Sequence, residues 1–225
     1  MSDLHFTNLR HSKWKRVFSM LSKPNKKLSL LYRLQKKFFT FLGDIKVFGW
    51  KHPLWFEINA HGYKLKGEHY RKLQKLLQPG DILVRRFEGY LSSYMLPGWW
   101  NHAGIYIGGK KEEVIHAISE GVQQEDVLNF MRTDHMIVLR VRESTKETQS
   151  KCIKRAKEIV GKPYDFAFDF TNASRFSCTE LAIYCHQLEI APKRRWNSFF
   201  KKVIVADDFI SCPTLKVVWD STNLV

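Results

Sequence analysis

The basic residues of this chain crowd into one end, and that asymmetry decides where a folded core can form. Residues 1–79 carry 17 Lys and Arg against 4 Asp and Glu, whereas the remainder carries 20 against 18. Alternating apolar runs between Gly- and Pro-marked turns begin only after Pro79-Gly80. The chain is therefore expected to comprise a basic helical N-terminal extension and connector, 1–78, followed by one α+β domain, 79–225. With 16 Phe and 7 Trp, there is ample apolar material for a core.

Two helical stripes are expected in the extension. Trp14, Val17, Phe18 and Leu21 follow helical spacing, and after Pro24 come Leu31, Leu34, Phe38, Phe41 and Leu42, accompanied by Lys26, Lys27, Arg33, Lys36 and Lys37. Such a helix either packs its stripe on the domain or lies in an anionic membrane interface. Nucleic acid is the weaker partner, because no DNA- or RNA-binding motif accompanies the charge. No run reaches the roughly 18–20 apolar residues of a spanning helix, and Met1 to His5 begin no secretory h-region. Four scattered cysteines, Cys152, Cys178, Cys185 and Cys212, form no CxxC and no disulfide framework. A reduced, cytoplasmic setting is expected, with peripheral membrane contact through the arm.

Within the domain, strands are expected over 82–87, 102–107, 113–118, 136–141, 203–205 and 215–219. A helix is expected over 147–160, with Ile153, Ala156 and Val160 inward and Gly161 as its stop. A second begins at Cys178. Ser177 is its N-cap and Glu180, three residues on, completes a capping box. Cys178 thus stands at the first helical position, where free N–H groups and the helix dipole stabilise a thiolate and an oxyanion. A lone buried cysteine is more often structural, and Cys152 and Cys185, on apolar helix faces, suit that role.

A thiol nucleophile needs an imidazole. Among nine histidines, His102 opens one expected strand and His116 lies in the next. A three-residue hairpin loop, 108–110, would pair 102 with 116 directly and let His116 orient His102, whereas a two-residue loop would separate them. His135 is a weaker third candidate. The apolar run around Tyr94, Trp99 and Trp100, just before His102, suits either a core lid or an acyl-chain clasp. A zinc site on His102, His116 and Cys178 is disfavoured by the helix-capped cysteine, and no Walker or Rossmann glycine pattern is present. No metal and no cofactor are expected.

Taken in order, Pro79-Gly80-Asp81-Ile82-Leu83, Asn101-His102-Ala103-Gly104-Ile105-Tyr106, Val114-Ile115-His116-Ala117, Gly161-Lys162-Pro163-Tyr164-Asp165-Phe166 and Ser177-Cys178-Thr179-Glu180-Leu181 resemble the YiiX-like group of papain-like hydrolases. These are related to NlpC-type peptidases but circularly permuted, with the histidine strand first and the cysteine helix last. The resemblance spans roughly residues 79–212. It implies an antiparallel sheet packed against the cysteine helix, with Cys178 as nucleophile, His102 as base and a third polar residue at 116. Relatives often carry Glu there; His116 keeps the accepting role but is a weaker electrostatic partner. Tyr164 is implied near the site. The implied activity is thiol hydrolysis of an amide or ester through a thioester, on a peptide, lipid or other small acylated substrate, with acyl transfer as a variant. The alternative is an inactive papain-like module that binds lipid or protein through its basic arm.

Overall fold

The computed structural model describes residues 30–43, 63–90, 93, 97–191, 194–195 and 202–224. The stripe at Trp14 to Leu21, and Tyr94, lie outside the described residues. The described chain begins with α1 (Leu30–Gly43) and α2 (Gly67–Gln74). A six-stranded antiparallel sheet follows, built from β1 (Ile82–Arg86), β2 (His102–Gly108), β3 (Glu113–Ile118), β4 (Gly121–Asp126), β5 (His135–Val141) and β8 (Leu215–Asp220) in the order β4-β3-β2-β1-β5-β8. Between them lie α3 (Val127–Phe130), α4 (Lys146–Glu158), α5 (Cys178–His186), the two-residue strands β6 (Arg194–Arg195) and β7 (Lys202–Val203), and α6 (Ala206–Ile210). The α+β expectation, with a sheet packed on the cysteine helix, is met.

Strand alternation sorts the core into two layers. On one face Ile105, Ile115 and Ala117 pack against Cys152, Ala156 and Ile159 of α4 and Leu181 and Cys185 of α5. Ile82, Val84, Ala103, Ile137 and Leu139 extend that face under Phe209 of α6. On the other face Leu83, Tyr106, Val114, Met136 and Val138 pack on Leu73 of α2 and Phe130 of α3. The Pro79-Gly80-Asp81 turn locks β1 to β5. Buried Asp81 accepts from Arg140 Nε at 2.7 Å and from its Nη2 at 2.8 Å, and Gly80 takes a φ of +93°.

Several local expectations change. On α4, Ala156 is buried and Ile153 packs against the core as expected, joined by Cys152 and the C-cap residue Ile159, while Val160 is exposed. The strand expected over 203–205 is only the short β6–β7 ladder; Val205 is already the N-cap of α6. β4 was not expected. Its sequence, Gly-Val-Gln-Gln-Glu-Asp, has one bulky apolar residue, and it is held by its ladder to β3 at the sheet edge, where polar side chains are tolerated.

α1 packs on the domain through one side. Tyr32 donates to the Tyr164 carbonyl and Gln35 to the Phe166 carbonyl, each at 2.7 Å, and Phe39 stacks on Phe166. Leu30, Leu34 and Phe38, on the other side, are 66%, 56% and 54% exposed. Among the described residues, no helix is long and apolar enough to cross a membrane.

Candidate active site

The capping box at the start of α5 is formed as expected. Ser177 Oγ accepts from Glu180 N at 3.3 Å, and Ser177 N donates to Glu180 Oε2 at 2.6 Å. This holds Cys178 at the first helical position, buried against the start of β2. The β2–β3 ladder has Gly104–His116 as its last pair toward that end. Ala103, one residue beyond, donates its N–H to the Cys178 sulfur, as do Thr179 N–H and the residue's own N–H. The thiol is thus seated where two strands part.

These donors favour the thiolate, but burial outweighs them and pushes Cys178 up to about 11. The expectation of a depressed pKa at this helix start is therefore reversed for the resting protein. Desolvation acts on the whole thiolate charge, and the dipole of a nine-residue helix offsets only part of it.

His102 and His116 lie on the sheet face that carries Phe130, with ring centroids 5.8 and 5.4 Å from that ring. His102 Nε2 and His116 Nδ1 are 2.9 Å apart. The orienting contact is present, although the register is not the direct pairing considered above. His116 pairs with Gly104, so the histidines are diagonal neighbours on one face. The cause is the loop, in which the β2–β3 ladder is irregular between Tyr106 and Gly108 and Glu112 adopts a positive φ. Gly104 is required here: a Cβ would come within 2.9 Å of both Phe130 and Val114 and 3.1 Å of His116 Cβ. Burial first, and then the Arg85 charge, hold His102 well below the usual imidazole range and bring His116 to about 3. Both rings are neutral at pH 7.

Beyond His116 stands Glu125 of β4, which carried no sequence signal. Its Oε1 lies 3.2 Å from His116 Nε2 and 3.6 Å from Arg85 Nη1, and Asn129 Nδ2 donates to Oε2. Arg85 is itself buried, donates to the Phe130 carbonyl at 2.7 Å and sits 3.9 Å from that ring's centroid. The thiolate of Cys178 acts on the Arg85 charge, which joins the thiol to this network. Among the described residues, no hydrogen bond joins Cys178 directly to His102.

The remaining expected site residues divide. Tyr164 lies close enough that the thiolate of Cys178, after burial, helps push its hydroxyl up. Trp100 is committed to the core beside Ile82 and Phe209. Trp99 is partly exposed and packs against Arg86 and His135; the backbone N–H groups of both tryptophans donate to Asp207 at 3.0 Å. Neither indole is brought to Cys178.

A thiol–imidazole contact elsewhere in the domain was also missed. Cys152 Sγ of α4 lies 3.3 Å from His186 Nε2 of α5. The Gly80 backbone partly offsets the effect of burial on the His186 ring. Burial pushes Cys152 up to about 12 and His186 down to about 4. This pair is neutral, mid-helix and remote from any free helix N–H group. Among the described residues, no group of three or more His, Cys, Asp or Glu is arranged to hold a metal ion; His102 and His116 face each other rather than a common point.

A six-stranded antiparallel sheet, a capped helix that opens on cysteine, and a histidine pair on two earlier strands together define a papain-like fold in permuted order. The chain belongs to the permuted papain-like amidase family, YaeF/YiiX (C92), whose model matches residues 76–220. Among solved structures it resembles the metalloprotein yiiX from Escherichia coli O157:H7, at TM-score 0.54 and 20% identity, over 65% of this chain and 98% of that one. No curated protein matches.

Proposed function

We propose that the protein is a thiol amidase or acyl hydrolase in which Cys178 is the nucleophile, His102 its base and His116 the residue that orients His102. The observation that carries this reading is the seating of the Cys178 sulfur on the N–H of Ala103, next in chain to a histidine already bonded to a second one. With Nε2 of His102 engaged, Nδ1 is the ring nitrogen left for the thiol proton. Catalytic contacts of this kind often close only around substrate. The proton passes from Cys178 to His102, and the thiolate attacks the amide or ester carbonyl carbon. The tetrahedral intermediate collapses to a thioester as the imidazolium gives its proton to the departing amine or alcohol. A water, deprotonated by His102, then releases the carboxylic acid and restores the thiol. N–H groups at the start of α5 are the nearest donors for the oxyanion.

The Cys152–His186 contact is the competing thiol site, favoured by its direct 3.3 Å approach. A direct test is mass spectrometry of the protein after brief exposure to p-nitrophenyl acetate, alongside turnover of that ester. Cys178→Ala and His102→Ala should each remove the acyl adduct and reduce turnover by at least about a hundredfold, while Cys152→Ala keeps both. An adduct on Cys152, or full turnover by Cys178→Ala, would transfer the reading to the second pair or end it.

The substrate side of this reading is acyl-chain chemistry at an anionic phospholipid surface. The exposed Leu30, Leu34 and Phe38 form one stripe of α1, with exposed Arg33, Lys36 and Lys37 beside it and no acidic residue in the helix. The opposite side of α1 rests on 164–166, the segment that leads to Tyr164 beside Cys178.

A further inference from the structure

The row of polar contacts does not stop at the second histidine, for Glu125 Oε1 stands 3.2 Å beyond His116 Nε2. We propose that Glu125 is a positioning residue that sets the tautomers of both histidines and so leaves Nδ1 of His102 as a bare lone pair. The inference deepens the Cys178–His102 reading and rests on it for its catalytic meaning, though not for its geometry.

Each neutral imidazole carries one N–H and one lone pair. Glu125 Oε1 is a buried acceptor without a formed hydrogen bond, and His116 Nε2 lies 3.2 Å from it, so the carboxylate favours the His116 tautomer with its proton at Nε2. His116 Nδ1 is then an acceptor. Across the 2.9 Å contact His102 Nε2 must therefore be the donor. One proton is spent there, and Nδ1 of His102 is left unprotonated. Reverse the first choice and every later one reverses: His116 Nδ1–H would donate to His102 Nε2, and His102 would carry its proton on Nδ1, unable to accept another from the thiol.

The structure holds Glu125 to this task from several sides. Asn129 Nδ2 engages its other oxygen, and Asn129 N is itself fixed by Asp126 at 2.8 Å, the N-cap of α3. The β3–β4 register places Glu125 opposite Val114, whose side chain shares the Phe130 face with His116. Arg85 Nη1, 3.6 Å from Oε1, sets a positive charge beside the carboxylate. Arg85 alone would oppose charge on both imidazoles. Glu125 offsets it, so the imidazolium formed when His102 takes the thiol proton is not left facing an uncompensated guanidinium.

The test combines ring-nitrogen NMR with kinetics on the full chain. In protein labelled with 15N at histidine, both His102 and His116 should show the Nε2–H pattern at pH 7. Glu125→Ala should lose it at one or both rings and lower kcat on p-nitrophenyl acetate by at least about a hundredfold, with KM within about threefold. Glu125→Gln, whose amide oxygen can still accept, should recover part of both. Thermal melts of the two variants establish that each is folded, and the wild-type tautomers are read without any variant. An Nδ1–H pattern at His102 in the wild type, or unchanged tautomers in folded Glu125→Ala, would overturn the proposal. Because the tautomers are read without substrate, they stay informative if Cys178→Ala shows that the nucleophile lies elsewhere.

Discussion

At the scale of single residues, Cys178 shows two opposed effects on one sulfur. Three N–H groups stabilise its thiolate, yet desolvation holds it at about 11. With both histidines neutral, Cys178 rests as a thiol rather than in a standing ion pair. The thiolate fraction below that value grows about tenfold per pH unit. Iodoacetamide labelling of Cys178 should therefore be slow at pH 6 and still rising between pH 8 and 10. Labelling that is fast and level from pH 6 upward would show an ion pair and contradict the burial argument. Ser177, Cys178 and Glu180 were legible in the sequence because capping is local: a side chain three residues away satisfies the helix's own N–H groups. Glu125 was not legible, since its meaning lies in a partner on another strand.

Among the elements, α1 has one side packed on the domain and one side exposed. Tyr32, Gln35 and Phe39 face the domain; Leu30, Leu34 and Phe38 do not. The doublet Leu34→Glu/Phe38→Glu alters only the outward stripe. It should lower binding to vesicles containing phosphatidylserine by at least about tenfold, from lost apolar insertion and added repulsion. Turnover of a soluble ester should stay within twofold or so, as the contacts to 164–166 are untouched. Equal sedimentation of the wild type with neutral and anionic vesicles, or undiminished binding by the doublet, would remove the membrane role. The α4 helix illustrates a different limit. Its start at Thr145 and its stop at Gly161, with φ of +84°, are local signals. Its inward face was drawn through Ile153 and Ala156, and the position of α5 brought in Cys152 as well, against His186.

For the molecule as a whole, three imidazoles are held neutral by burial: His102, His116 at about 3 and His186 at about 4. Each has a folded pKa below that of the unfolded chain, near 6.5, so the unfolded state binds more protons in between. The stability they contribute is complete above about pH 6.5 and is lost as pH falls toward 4 and 3. His186 alone accounts for something on the order of 3 kcal/mol. Thermal melts should show Tm falling steeply from pH 6 to pH 4, and His186→Gln should flatten part of that fall. A Tm constant across this range would mean that these rings are charged in the folded protein.

What the sequence determined by itself was whatever depends on neighbours in the chain. The helix that opens on Cys178, the glycine stops, the β2 and β3 strands with their histidines, and the split between a basic arm and an α+β domain all rest on local capping, turn chemistry and alternation. The tertiary structure alone decided what depends on register and depth. It offset His116 from His102 by two residues, recruited an edge strand with little apolar pattern to bring up Glu125, buried Trp100 in the core, and paired Cys152 with His186. Burial, rather than residue type, raised the Cys178 thiol and silenced the imidazoles. Desolvation is a property of everything packed around a group, and no short stretch of sequence carries it.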